Sequence, residues 1–79
     1  MKQSVDRERQ AVMDANIVKI MKTNKDSAVK HSDLVQKVIQ MIQTFKVQPL
    51  EIKSRIDELM QKGYMRRDEQ ERSKYWYIA

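Results

Sequence analysis

Seventy-nine residues, 41% hydrophobic and 34% charged with a net charge of +5, suit one small domain with a modest core. The chain has no cysteine, which excludes disulfides and thiol chemistry and fits the cytoplasm or nucleus, and its one histidine, His31, lacks partners for a metal site. No apolar run reaches the roughly 18 residues of a membrane span, and no signal peptide or catalytic constellation is visible, so a non-catalytic domain without cofactor or metal is expected.

The first predicted element is a helix. Ser4 is a candidate cap, and Asp6 and Glu8 sit near the positive end of its dipole. From there to about Lys25, Met13, Ile17, Ile20, Met21 and Asn24 recur at helical spacing and form one stripe. The stretch NKDSAVKHSD interrupts it. A second helix is predicted from about Ser32 to Thr44, capped by Ser32 or Asp33. Its broad apolar face is Leu34, Val35, Val38, Ile39, Met41 and Ile42, with Phe45 just beyond. Pro49 suits the first turn of a third helix, which buries Ile52, Ile56, Leu59 and Met60 and ends at Gly63. The period then changes. YMRR and KYWYIA, joined by the polar DEQERS, read as a β-hairpin. Three helices followed by a C-terminal hairpin predict an α+β winged helix over residues 1–79.

A basic winged helix raises the question of nucleic acid, and the position of the charge bears on it. The third helix, residues 49–63, carries Lys53, Arg55 and Lys62 against Glu51, Asp57 and Glu58, which cancel. The wing sets Arg72 and Lys74 among Asp68, Glu69 and Glu71. Phosphate contacts dominate affinity for DNA, so this footprint disfavours a nucleic-acid role and predicts weak, salt-sensitive binding without sequence preference. A nucleic-acid-binding winged helix stays open as the alternative. The basic excess lies at residues 16–37, where Lys19, Lys22, Lys25, Lys30 and Lys37 face only Asp26 and Asp33. Packing of a terminal strand explains Tyr75, Trp76 and Tyr77 better than base stacking does.

Lys22 is the residue that a core does not explain. At about 100° per residue it projects roughly 155° from the mean of the buried stripe, almost directly outward. Val18, Ala15 and Ala11 precede it on the same side, so a ridge of small apolar groups ends in an amine. Exposed alanines and one valine are ordinary on a helix. The sharper reading is a shallow docking strip of Ala11, Ala15 and Val18, flanked by Lys19 and Lys25, that presents Lys22 to another protein.

IVKIMK at 17–22, preceded by DRERQAVMDAN, resembles the cullin signature around the lysine that accepts the cullin-specific ubiquitin-like modifier. HSDLV at 31–35, Phe45, IKSRIDELMQKGYMRRD at 52–68 and YWYIA at 75–79 follow the cullin C-terminal winged-helix pattern in order, so the resemblance covers nearly the whole chain. Four residues depart from the pattern: Lys19 replaces arginine, Asn16 replaces alanine, and Thr23 and Asn24 replace a more basic pair. The loop from Lys22 to His31 is also about two residues longer than the family's usual one. By resemblance the chain is a C-terminal piece of a cullin, the scaffold of a RING-type ubiquitin ligase of the cytoplasm and nucleus, and Lys22 is the neddylation acceptor. The resemblance further implies a RING-box subunit with its conjugating enzyme, the covalently attached modifier, a deneddylating signalosome and a cullin-sequestering exchange factor as partners. Attachment would release the winged helix and RING from a packed arrangement. Isopeptide formation needs a neutral amine, and a free lysine titrating near pH 10.4 is neutral in only about one molecule in a few thousand at pH 7. The chain supplies no base for that step, so activation must come from the conjugating enzyme.

Overall fold

The structure is a computed structural model and describes residues 2–78. Helix α1 spans Lys2–Thr23, strand β1 Val29–Lys30, helix α2 His31–Met41, helix α3 Pro49–Gln61, strand β2 Met65–Arg67 and strand β3 Lys74–Tyr77. The order is that of a winged helix, as predicted. Ser4 lies inside α1 rather than at its cap, because helical backbone already begins at Lys2. The terminal Ala79 of the predicted last strand lies outside the described residues.

The stripe read from α1 is the side that packs. Met13, Ile17, Ile20 and Met21 are buried, Ile17 completely. They meet Leu34, Val35, Val38 and Ile42 near α2 and Ile52, Ile56 and Leu59 of α3 in one hydrophobic cluster. Two readings of α2 are corrected. It runs His31–Met41 rather than Ser32–Thr44, and its cap is Lys30, which makes no side-chain capping bond, so Ser32 and Asp33 sit within the first turn. Ile39 and Met41 stay exposed, at 38% and 42%, because the helix ends before a wider face can turn inward. Ile42 then takes extended backbone.

Helix α3 starts as Pro49 predicts. Gln48 precedes it in a capping box, with the Gln48 N–H donating to Glu51 Oε1 at 3.1 Å. Gly63 ends the helix at φ 86°. The Tyr64 N–H then reaches back to the Leu59 carbonyl at 3.0 Å and the Gly63 N–H to Met60 at 3.1 Å, a paired closure that needs a left-handed residue. Met60, predicted buried, is half-buried against the core.

The hairpin is present, and a third strand joins it. The antiparallel sheet runs β1–β3–β2, with Val29 opposite Tyr75 and Met65 opposite Tyr77. Alternation puts Met65, Tyr75 and Val29 into the core and leaves Arg66 stacked on Trp76 on the other face. Asp68 fixes the turn of the wing. Its carboxylate accepts the Gln70 and Glu71 N–H groups at 3.0 and 2.8 Å and the Trp76 indole N–H at 2.7 Å. The aromatic strand is thus absorbed by the fold.

Candidate functional site

The end of α1 is held from both sides. Ile17, Ile20 and Met21 anchor its inner face in the core. The last carbonyls of a helix lack intrahelical donors, and here Asn24 supplies those of Ile20 and Met21. Thr23 Oγ1 donates to Lys19 O at 2.9 Å and Asn24 Nδ2 to Ile20 O at 2.8 Å. The Asn24 N–H also reaches Ile20 O and Met21 O, at 3.2 and 3.1 Å. Thr23 and Asn24, which depart from the family pattern, therefore close the helix rather than carry charge. Asn16 makes the same kind of side-chain bond about two turns earlier, within the helix, donating to Val12 O at 2.8 Å.

Lys22 stands exposed on this closed turn, and its cation lies at the negative end of the dipole. Lys19 and Lys25 are exposed as well. Lys19 sits about 60° round the helix and a turn lower, while Lys25 is already in the turn beyond. The predicted ridge is partly corrected. Ala11 and Ala15 are exposed, but Val18 is half-buried and packs on the core. Asp14, Ala15 and Val18 form one wall of a shallow groove. Leu59, Lys62 and Tyr64 form the other, Tyr64 being 48% exposed. The strip is therefore the side of a groove between α1 and the end of α3.

Two arginines fix α1 against α3, and the sequence reading missed both. Arg55 makes a forked pair with Asp14, Nε to Oδ1 and Nη2 to Oδ2, each at 2.8 Å. The hydrogen bond to Asp14 raises the Arg55 pKa above its ordinary value. Arg9 pairs with Glu51 and lies over the Phe45 ring at 4.6 Å. That Arg9 bond, opposed by partial burial, holds the Glu51 carboxyl below its usual range. The partners are 41 and 42 residues apart, so no local spacing announces them. Arg55, one of the cations that a duplex-reading helix would present outward, is thus occupied within the fold. Among the described residues no group of histidine, aspartate and glutamate could hold a metal ion, and no helix is long and apolar enough to cross a membrane.

Comparison with known proteins places the geometry. The family model of the cullin protein neddylation domain matches residues 8–71. Cullin-3 of Dictyostelium discoideum is 40% identical over 76 residues, covering 95% of this chain and 10% of its own length. Cullin-3B of Arabidopsis thaliana is 34% identical over 79 residues, 99% of this chain and 10% of its own. Cullin-4 of Caenorhabditis elegans is 36% identical over 78 residues, 99% of this chain and 9% of its own. The chain thus spans about a tenth of the length of these curated relatives. A solved structure that concerns a dual E3 mechanism for Rub1 ligation to Cdc53, with Dcn1(P) and Cdc53(WHB), superposes with a TM-score of 0.88 at 35% identity. That match covers 99% of this chain and 88% of the other.

Proposed function

This chain belongs to the cullin family as its neddylation domain, and from that premise we propose that Lys22 is the amine to which the ubiquitin-like modifier is joined. The observation that carries the proposal is the combination at one residue of an exposed amine, a buried opposite face and a helix end whose Lys19, Ile20 and Met21 carbonyls accept bonds from Thr23 and Asn24. Aligning an amine with a thioester rewards a rigid base, because orientation is settled before the encounter.

The reaction is done to the domain. The modifier arrives as a thioester on a conjugating enzyme. The Lys22 ammonium loses a proton to a base of that enzyme or to water, and the neutral nitrogen attacks the thioester carbonyl. The C–S bond breaks, the thiolate leaves on the enzyme, and an isopeptide C–N bond remains. The domain itself catalyses nothing and holds no cofactor. A RING-box subunit positions the conjugating enzyme, and a co-ligase such as the Dcn1 of the solved relative assists it. A signalosome reverses the bond and an exchange factor competes for the unmodified state. The cycle takes place in the cytoplasm and nucleus, within a larger ubiquitin-ligase scaffold.

The groove wall of Ala15 and Val18, with Ala11, Lys19 and Lys25 around it, is the docking strip beside the acceptor. Modification in a reconstituted system, followed by digestion and mass spectrometry, tests the assignment. The branched peptide is expected at Lys22, and Ala15→Glu is expected to slow conjugation while leaving Tm unchanged. A branch at Lys19 or Lys25 in the wild-type protein would refute it.

A further inference from the structure

Apart from Lys22 and its groove, one cleft gathers cations that neddylation does not use. His31 at the start of α2, Lys53 of α3, Arg67 of β2 and Arg72, Ser73 and Tyr75 around the wing line a space of about 310 Å³. Four separate segments of chain converge there, bringing three permanent cations and no carboxylate to its lining. One outside carboxylate, Asp57, is shared between two of them, 3.8 Å from Lys53 and 3.9 Å from Arg67. Both contacts are long and solvent-exposed, so two positive charges remain in excess. Arg72 has no ion pair among the described residues.

The cleft is built and not merely basic. Arg67 is fixed by donating to the Arg72 carbonyl at 2.9 Å and by lying over the Tyr75 ring at 5.4 Å. His31 Nδ1 and the Tyr75 hydroxyl are 2.8 Å apart. If the hydroxyl donates to Nδ1, the imidazole keeps its Nε2–H. If Nδ1–H donates, the phenol keeps its O–H. Either arrangement of a neutral imidazole leaves one donor for a ligand. Ser73 adds a hydroxyl at the edge. Two guanidinium forks, an ammonium and neutral O–H or N–H donors are what a phosphoryl group with three terminal oxygens accepts from.

We propose that this cleft binds one phosphorylated side chain of a polypeptide partner. The shape of the charge selects that class over nucleic acid. A duplex would run on from the cleft along the wing and α3, where Glu69, Glu71 and Glu58 stand exposed and repel its further phosphates. A single phosphoryl group meets only the cations.

Amide NMR titration of the uniformly labelled chain tests this with three probes: N-acetyl-O-phosphothreonine amide, its unphosphorylated counterpart, and a short DNA duplex. Saturable shifts are expected with the first alone, at Lys53, Arg67, Arg72 and Ser73. Arg72→Gln should weaken that binding about fivefold, while Lys37→Gln, on the exposed side of α2, leaves it unchanged. Should Arg72→Gln disturb the wing, seen as altered Trp76 fluorescence, Lys53→Gln carries the same expectation from α3. Shifts that never saturate, or that survive both variants, would overturn the proposal. So would tighter binding of the duplex with a footprint along α3.

Discussion

At the scale of single residues, the side chains that decide the structure are polar ones whose partners lie far away in sequence. Asp68 holds the wing through three N–H donors, and the Trp76 hydrogen bond is the largest of the influences that draw its carboxyl below the usual 3.8. A carboxyl depressed in the folded state stabilises it fully above the unfolded value and loses that contribution as pH falls through the folded value. Trp76 is the only tryptophan, so its fluorescence reports the wing alone. An acid titration should show a Trp76 transition with its midpoint below 3.8, absent in Asp68→Asn; a midpoint at or above 3.8 would show the bond to be unimportant. Nothing in DEQERS foretold this, because the bond spans two strands, and the turn reads from sequence only as polar. The Arg55–Asp14 fork escaped for the same reason. Counted along α3, Arg55 is one charge among five, and only the crossing of α1 over α3 shows that it is occupied.

At the scale of elements, periodicity carried the helices and length decided what it missed. The residues read at helical spacing on the apolar faces of α1 and α3 are buried as expected, save Met60, which is half-buried, and Asn24, which is half-buried in the turn beyond Thr23, since three or more turns make the phase unambiguous. Ile56 is completely buried at the meeting of the three helices. Ile56→Ala should cost about 2–5 kcal/mol in urea unfolding, a large share of the stability of so small a domain. A change within about 0.5 kcal/mol, the usual range at exposed positions, would contradict the packing. Strand β1 was not legible. Val29 and Lys30 are only two residues, too few for a period, and they form a strand because β3 offers them an edge. Likewise Val47 is buried from an irregular segment, where no pattern applies. The ends of α2 were misread because Ser32 and Asp33, good caps by chemistry, follow a strand whose last residue already occupies the cap position.

At the scale of the whole molecule, the fold turns a common surface residue into a defined one. Six lysines lie between residues 16 and 46, and proximity alone does not choose among them. The outward direction of Lys22 was legible from the phase of α1. The closing bonds from Thr23 and Asn24, and the groove that Val18 shares with Leu59 and Tyr64, were not, since both depend on where the chain goes after the helix. Lys25 and Lys30 lie outside the helices, Lys37 is on α2, and Lys19 points elsewhere on α1. Placement, not intrinsic reactivity, is the ground on which Lys22 is proposed as the acceptor. The most direct measurement is single-turnover modification of Lys22→Arg in the assembled ligase, beside Lys19→Arg and Lys25→Arg. Arginine keeps the charge and most of the reach but cannot form the isopeptide bond. The expected result is no modified Lys22→Arg, wild-type rates for the other two, and an unchanged Tm in all three. A Lys22→Arg protein that still gained one modifier at near the wild-type rate would contradict the assignment of Lys22.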